Sequence, residues 1–162
     1  MRGKIIQGDK MSLKEKLRQI RKEVGHVPVD FEKQKNKWLK SVDNLYKIVQ
    51  EEWLADLETE GLISFERNAI SLSEEDIGTY SIEKMEICYS KGSIVLEPVG
   101  CNIIGGDGRI DFFLKGKFSK GFMLILFRED DKELWHLLDR QNKNNRKILS
   151  KKTLEETIEQ WI

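Results

Sequence analysis

The chain reads as an α+β domain. An N-terminal helical pair, one of its helices long, packs on a curved antiparallel sheet or partly open β-barrel of about seven strands, and a short C-terminal helix closes the chain. Three observations predict this. Apolar residues recur at a helical period as far as Gly61, the period falls to two from Ile63 onward, and a capped helical pattern returns at Thr153. Strand runs lie only a turn apart, which favours hairpins over crossovers and hence an α+β layout with a curled sheet.

The first helix is expected over about 12–24. Ser12 and Glu15 have the S-x-x-E capping-box spacing, and Leu13, Leu17, Ile20 and Val24 follow on one face. Gly25 and Pro28 supply the stop, while Lys14, Arg18, Arg21 and Lys22 make the opposite face cationic. A second helix is expected over 31–60 after the capping carboxylate of Asp30. Its stripe runs through Phe31, Trp38, Val42, Leu45, Val49, Trp53 and Leu57, widened by Leu39, Tyr46 and Leu54, and Gly61 with Leu62 closes it.

The strand region begins with a small hairpin, Ile63 and Phe65 matched to Ile70 and Leu72 across Arg67-Asn68. Ser73 to Thr79 is acidic and turn-like. Next, Lys91-Gly92 reads as a two-residue turn that sets Tyr89 opposite Ile94 and Ile87 opposite Leu96, and Pro98 ends that pairing or marks an edge. Cys101–Ile104 and Arg109–Lys115 flank the loop Gly105-Gly-Asp-Gly108. Phe122 to Phe127 is apolar on both faces and is expected to be the most buried strand, followed by a strand over Leu134–Leu138 and a polar loop over Gln141–Arg146. Thr153 and Glu156 repeat the capping-box spacing ahead of Leu154, Ile158 and Trp161. The organisation that follows is a helical arm over 1–61 and an antiparallel domain with its terminal helix over 62–162, together one folding unit.

At 162 residues the chain holds one core. The longest apolar run, Gly121 to Phe127, is far short of the ~20 residues a membrane-spanning helix needs, and the N-terminus lacks the apolar stretch of a secretory signal. Two cysteines make no disulfide framework, so a reduced, cytoplasmic setting is expected. Cys88, Cys101, His26 and His136 have no zinc-ligand spacing, and no metal or other cofactor is expected.

Equal numbers of basic and acidic side chains, 28 each, conceal a segregated pattern. Residues 1–40 carry a net of +7, 41–97 a net of −9, 98–128 a net of +3 and 129–162 a net of −1. A basic arm ahead of an acidic middle fits a nucleic-acid contact, an acidic partner, or two parts that face each other.

No nucleophile elbow, paired-ligand helix or phosphate-loop signature is present, and no residue is assigned a catalytic role. Glu97, Asp111 and Lys115 have the chemistry of a metal nuclease but no spacing that supports one. The most site-like segment for a nucleotide or other anion is Gly106, Asp107, Gly108, Arg109 and Asp111, where backbone amides and a guanidinium fork could meet phosphate. It joins two strands rather than opening a helix, so a plain hairpin with an Arg–Asp pair is the competing reading. Nucleic-acid binding through the basic helices, by Lys14, Arg18, Arg21, Lys35, Lys37 and Lys40, lacks a cluster of surface aromatics for stacking and is not favoured. The sequence is thus expected to encode a non-enzymatic module that binds a protein partner or a second copy of itself, in the manner of a bacterial or phage immunity, accessory or inhibitor protein. Its candidate contact residues are Trp38, Trp53, Arg18, Arg21 and Lys37.

Overall fold

The computed structural model describes residues 12–25 and 30–162. The expectations placed on His26, Pro28 and the first eleven residues lie outside them, as do those on the side chains of Lys22 and Val24. By their internal contacts the residues fall into two units, 1–30 and 31–162, and the long helix shares the second with the sheet.

In the first unit, α1 spans Leu13–Gly25, and Ser12 Oγ accepts the Glu15 amide at 3.1 Å. The cap predicted from the S-x-x-E spacing forms on its serine side.

In the second unit, α2 (Phe31–Ile48) runs into a π-helical turn at Val49–Trp53, and α3 (Ala55–Thr59) follows. The continuous helix expected over 31–60 is therefore broken at Leu54, whose φ of −117° leaves the helix. The wide turn changes the phase of the stripe. Trp38, Val42, Leu45, Tyr46 and Val49 are buried in sequence, and after the extra residue Leu54 is buried while Trp53 is only half-buried. The end of α3 is as expected: Gly61 has φ +75°, its amide donates to the Glu58 carbonyl and the Leu62 amide to that of Leu57, both at 3.0 Å.

Seven antiparallel strands follow as an open meander in chain order: β1 (Ser64–Glu74), β2 (Gly78–Tyr89), β3 (Gly92–Gly100), β4 (Gly108–Leu114), β5 (Phe122–Glu129), β6 (Lys132–Asp139) and β7 (Arg146–Ile148). Helix α4 (Lys151–Trp161) closes the chain. The expected turn at Arg67-Asn68 does not occur; β1 runs through it, and the chain turns after Glu74, with Asp76 at φ +71°. Arg67 is held in the strand because its guanidinium lies over the Tyr46 ring and pairs with Asp43 on α2 at 2.9 Å. The next turn falls at Ser90-Lys91, so Ile87 faces Ile94 and Met85 faces Leu96. That is two residues from the expected register, which keeps the same side chains on the same face.

Pro98 stays in β3, paired with Ile110 beyond the end of the β2 ladder, where its missing amide costs no hydrogen bond. Cys101–Ile104 is loop and not strand. Its first two amides are taken by a carboxylate: Glu74 Oε1 accepts from Cys101 N at 3.0 Å and Asn102 N at 2.8 Å, while Tyr80 Oη donates to Glu74 Oε2. The cap of α4 lies one turn earlier than the sequence suggests. Ser150 Oγ accepts the Thr153 amide and Thr153 Oγ1 the Ser150 amide.

Both α2 and α4 lie on one face of the sheet. Trp38 is fully buried with its ring 6.2 Å from that of Trp135, and Trp161 packs edge-on to Phe112 and Phe122. The core between the layers holds Met85, Ile87, Ile94, Leu96, Ile110, Leu124, Leu126 and Leu137. Polar ties fix the helix over it. Ser41 Oγ donates to Glu133, Arg128 bonds both Ser41 and Glu133, and Tyr46 Oη donates to the Glu83 carbonyl at 2.9 Å.

Gly108 lies under Trp38, and a methyl group there would collide with the indole. Gly108→Ala should therefore lower stability by roughly 1–3 kcal/mol through overpacking, read as a lower urea midpoint at unchanged slope.

Candidate functional site

Because both helices cover the same face, no helix or second sheet of residues 31–162 covers the other face of β4–β7, although Asp111 on it is buried beneath Arg109 and Arg140. Cross-strand rows place Asp111, Met123, Leu138 and Arg146 side by side, next to Arg109, Ile125, His136 and Ile148, with Phe127 and Leu134 beyond. The alternate residues of these strands, Phe122, Leu124, Leu126, Trp135 and Leu137, point into the core and are buried. On the outer side Met123, Ile125, Phe127, His136 and Leu138 are half-buried, and Leu134 and Ile148 are each 45% exposed. The expectation that β5 is the most buried strand therefore holds for one face only. Its outward residues have no layer above them in this unit, apart from the loop at Gly106 that approaches Ile125.

The edges of this apolar surface carry arginines. Arg109 Nε and Nη2 donate to Asp111 Oδ1 at 3.0 and 2.8 Å, and Arg140 Nη1 donates to the same oxygen at 3.2 Å. Arg140 lies 4.2 Å over the Phe118 ring, which meets Phe113 edge-on at 5.0 Å. At the other edge Arg146 Nε donates to His136 Nδ1 at 2.8 Å and the guanidinium lies over Phe127, itself 4.7 Å from the imidazole. Burial first, and then the charge of Arg146, holds the His136 pKa below its ordinary value, so the ring is the neutral acceptor that this hydrogen bond requires.

The structure explains the Gly-rich segment by packing. Gly106 sits against Ile125 and the Leu126 carbonyl, and Gly108 against Trp38. The Asp107 amide donates to the Leu126 carbonyl at 2.7 Å, and its carboxylate accepts the Arg128 amide at 2.8 Å. Arg109 and Asp111 satisfy each other. Of the proposed contact residues, Trp38 lies in the chain's own core and Trp53 packs half-buried against it, while Lys37 and Arg21 are exposed and Arg18 is half-buried. Glu97 and Asp111 are cross-strand neighbours, but Lys115 Nζ points to Glu86 at 3.4 Å, so the nuclease-like trio is not assembled.

Neither thiol is set up as a nucleophile. Burial first, and then the Glu74 carboxylate, pushes Cys101 up to about 12, and burial with Glu66 raises Cys88. Among the described residues no three His, Cys, Asp or Glu side chains converge as metal ligands, and no helix is long and apolar enough to cross a membrane. Sequence reasoning missed Phe113, Phe127, Leu134, His136 and Ile148 as a surface. The unbroken apolar run of β5 carried the signal, but only the one-sided placement of the helices converts it into an exposed face.

Comparison with known proteins finds no matching family model, curated protein or solved structure.

His136 has a pH consequence. Its native pKa lies below the ordinary 6.5, so as pH falls through 6.5 the unfolded chain binds a proton before the folded one does. This term is neutral above that window and lowers stability within it. His136→Phe should therefore lose less stability than the parent on going from about pH 7 to about pH 5, measured by urea denaturation at each pH.

Proposed function

We propose that this chain is a non-enzymatic protein-interaction module that docks a partner protein on the outer face of β4–β7. One observation carries the reading. Strands β5 and β6 bury one row of large apolar side chains and leave the alternate row, Met123, Ile125, Phe127, Leu134 and Leu138, joined by Ile148 of β7, with no covering layer in their own unit. Contiguous apolar surface of this kind is a docking feature when its rim is polar. The rim here is cationic, through Arg109, Arg140 and Arg146, so the partner is one whose apolar patch is bordered by carboxylates. An immunity, accessory or inhibitor protein of bacterial or phage type would act in this way, by occupying a surface and not by turning over a substrate. Its two free thiols suit a reduced, cytoplasmic setting. The anion-binding alternative at Gly105–Asp111 has less support, since Arg109 and Arg140 both direct donors to Asp111.

The test places a photo-crosslinking residue at Leu134 and, separately, at Lys91 in the distant β2–β3 turn, and recovers adducts from host cells. A single protein trapped from position 134 and not from 91 is the expected result. Leu134→Glu with Ile148→Glu should then weaken binding of that purified protein by about 30-fold or more with the melting temperature preserved. Binding unchanged in the folded double variant overturns the assignment.

A further inference from the structure

Helix α1 and a groove of the β-domain have complementary surfaces. On α1, Leu13, Leu17 and Ile20 stand at i, i+4 and i+7 and are 71, 56 and 53% exposed, so among the described residues the helix presents an exposed apolar stripe. Lys14, Lys16, Arg18 and Arg21 lie around it. Such a helix is marginal by itself and gains stability by laying its stripe on another apolar surface.

The second unit holds a groove of about 260 Å³ between α3, the β2–β3 hairpin and α4, away from the outer face of β4–β7. Its walls are aliphatic and aromatic: Leu57, Ile87, Tyr89, Ile94, Ile158 and Ile162. The charged side chains that line it are Glu155 and Glu159, both on α4. The segment from Glu51 to Glu60, which provides the opposite wall, adds five carboxylates and no cation. Apolar floor and acidic banks are the inverse of the apolar stripe and cationic flanks of α1.

We propose that the groove receives α1 of a second copy of this chain. Leu13, Leu17 and Ile20 would fill the apolar trough in the helix-in-groove manner, with basic side chains of α1 set against Glu155, Glu159 and the acidic α3 bank. Two reciprocal insertions close a two-fold dimer with no free groove and no free helix, so assembly stops at two. This gives part of the charge segregation a role: the cationic helix α1 and the acidic stretch 51–60 would meet across one interface.

The experiment is sedimentation equilibrium of the full chain, at low and high salt, for four proteins. The parent should be a dimer that salt weakens. Glu155→Lys with Glu159→Lys should weaken the dimer by about tenfold or more while the near-ultraviolet circular dichroism of the tryptophans, all of them in residues 31–162, stays as in the parent. Adding Lys16→Glu and Arg21→Glu to that variant should restore it, which no purely structural effect of the α4 substitutions would do. Leu17→Asp with Ile20→Asp, both on exposed positions, should give a monomer. A parent that stays monomeric at all concentrations overturns the proposal. So does a dimer that survives both the groove and the helix substitutions, which would place the contact on another face.

Discussion

The structure depends on how closely α2 can approach the sheet. Trp38 lies flat enough against β4 that only a residue without a Cβ fits at position 108, and on its other flank it meets the Trp135 ring. An aromatic pair of this size buries a large apolar area, and its place determines which face of the sheet becomes the inside. Once that face is chosen, Tyr46, Val42 and Val49 follow from helical periodicity. The Ser41–Arg128–Glu133 and Asp43–Arg67 ties hold the two sides of the same helix to strands at opposite ends of the sheet.

That choice leaves an asymmetry. Two helices suffice to cover one side of seven strands, and both are placed there, so the strands of the second half of the chain have apolar residues left over. A sheet exposed to water on one side normally alternates apolar with polar residues. Strands β1–β3 come near this, with Glu66, Lys84, Glu86 and Glu97 outward, whereas β5 and β6 do not. The change happens within a single sheet, between strands that share one backbone geometry. Arginines held by Asp111 and by a neutral imidazole border that region and present charge in fixed positions at little cost in side-chain entropy.

The sequence conveyed the element types well and their exact joins less well, for local reasons. Periodicity identifies the stripe of α2, but a π-turn adds one residue without changing composition, so the break at Leu54 is invisible until the phase of burial is known. Arg67-Asn68 has the look of a turn because asparagine tolerates positive φ. What keeps it extended is an ion pair to Asp43, 24 positions earlier, which no local window contains. Cys101–Ile104 has strand composition, yet Glu74 claims its first amides. The glycines at 106 and 108 suggested a ligand loop, and both also let a large side chain, Ile125 or Trp38, close on the backbone. In each case the deciding partner is distant in sequence. For the same reason Trp38 of the helix stripe, a natural candidate for an interface, lies in the chain's own core, while Met123, Ile125 and Phe127, expected at the centre, are only half-buried.

The strand order has a kinetic corollary. In a meander every ladder joins neighbours in the chain, so each hairpin closes a short loop and can zip onto the one before it with little entropy to overcome. The sheet can therefore grow progressively, but it has no inside until α2 arrives from the beginning of the chain to meet β6 near its end. The slow, committing step of folding is then the long closure that brings Trp38 to Trp135, and a sheet assembled ahead of that closure would show both of its faces, one of them only for a moment.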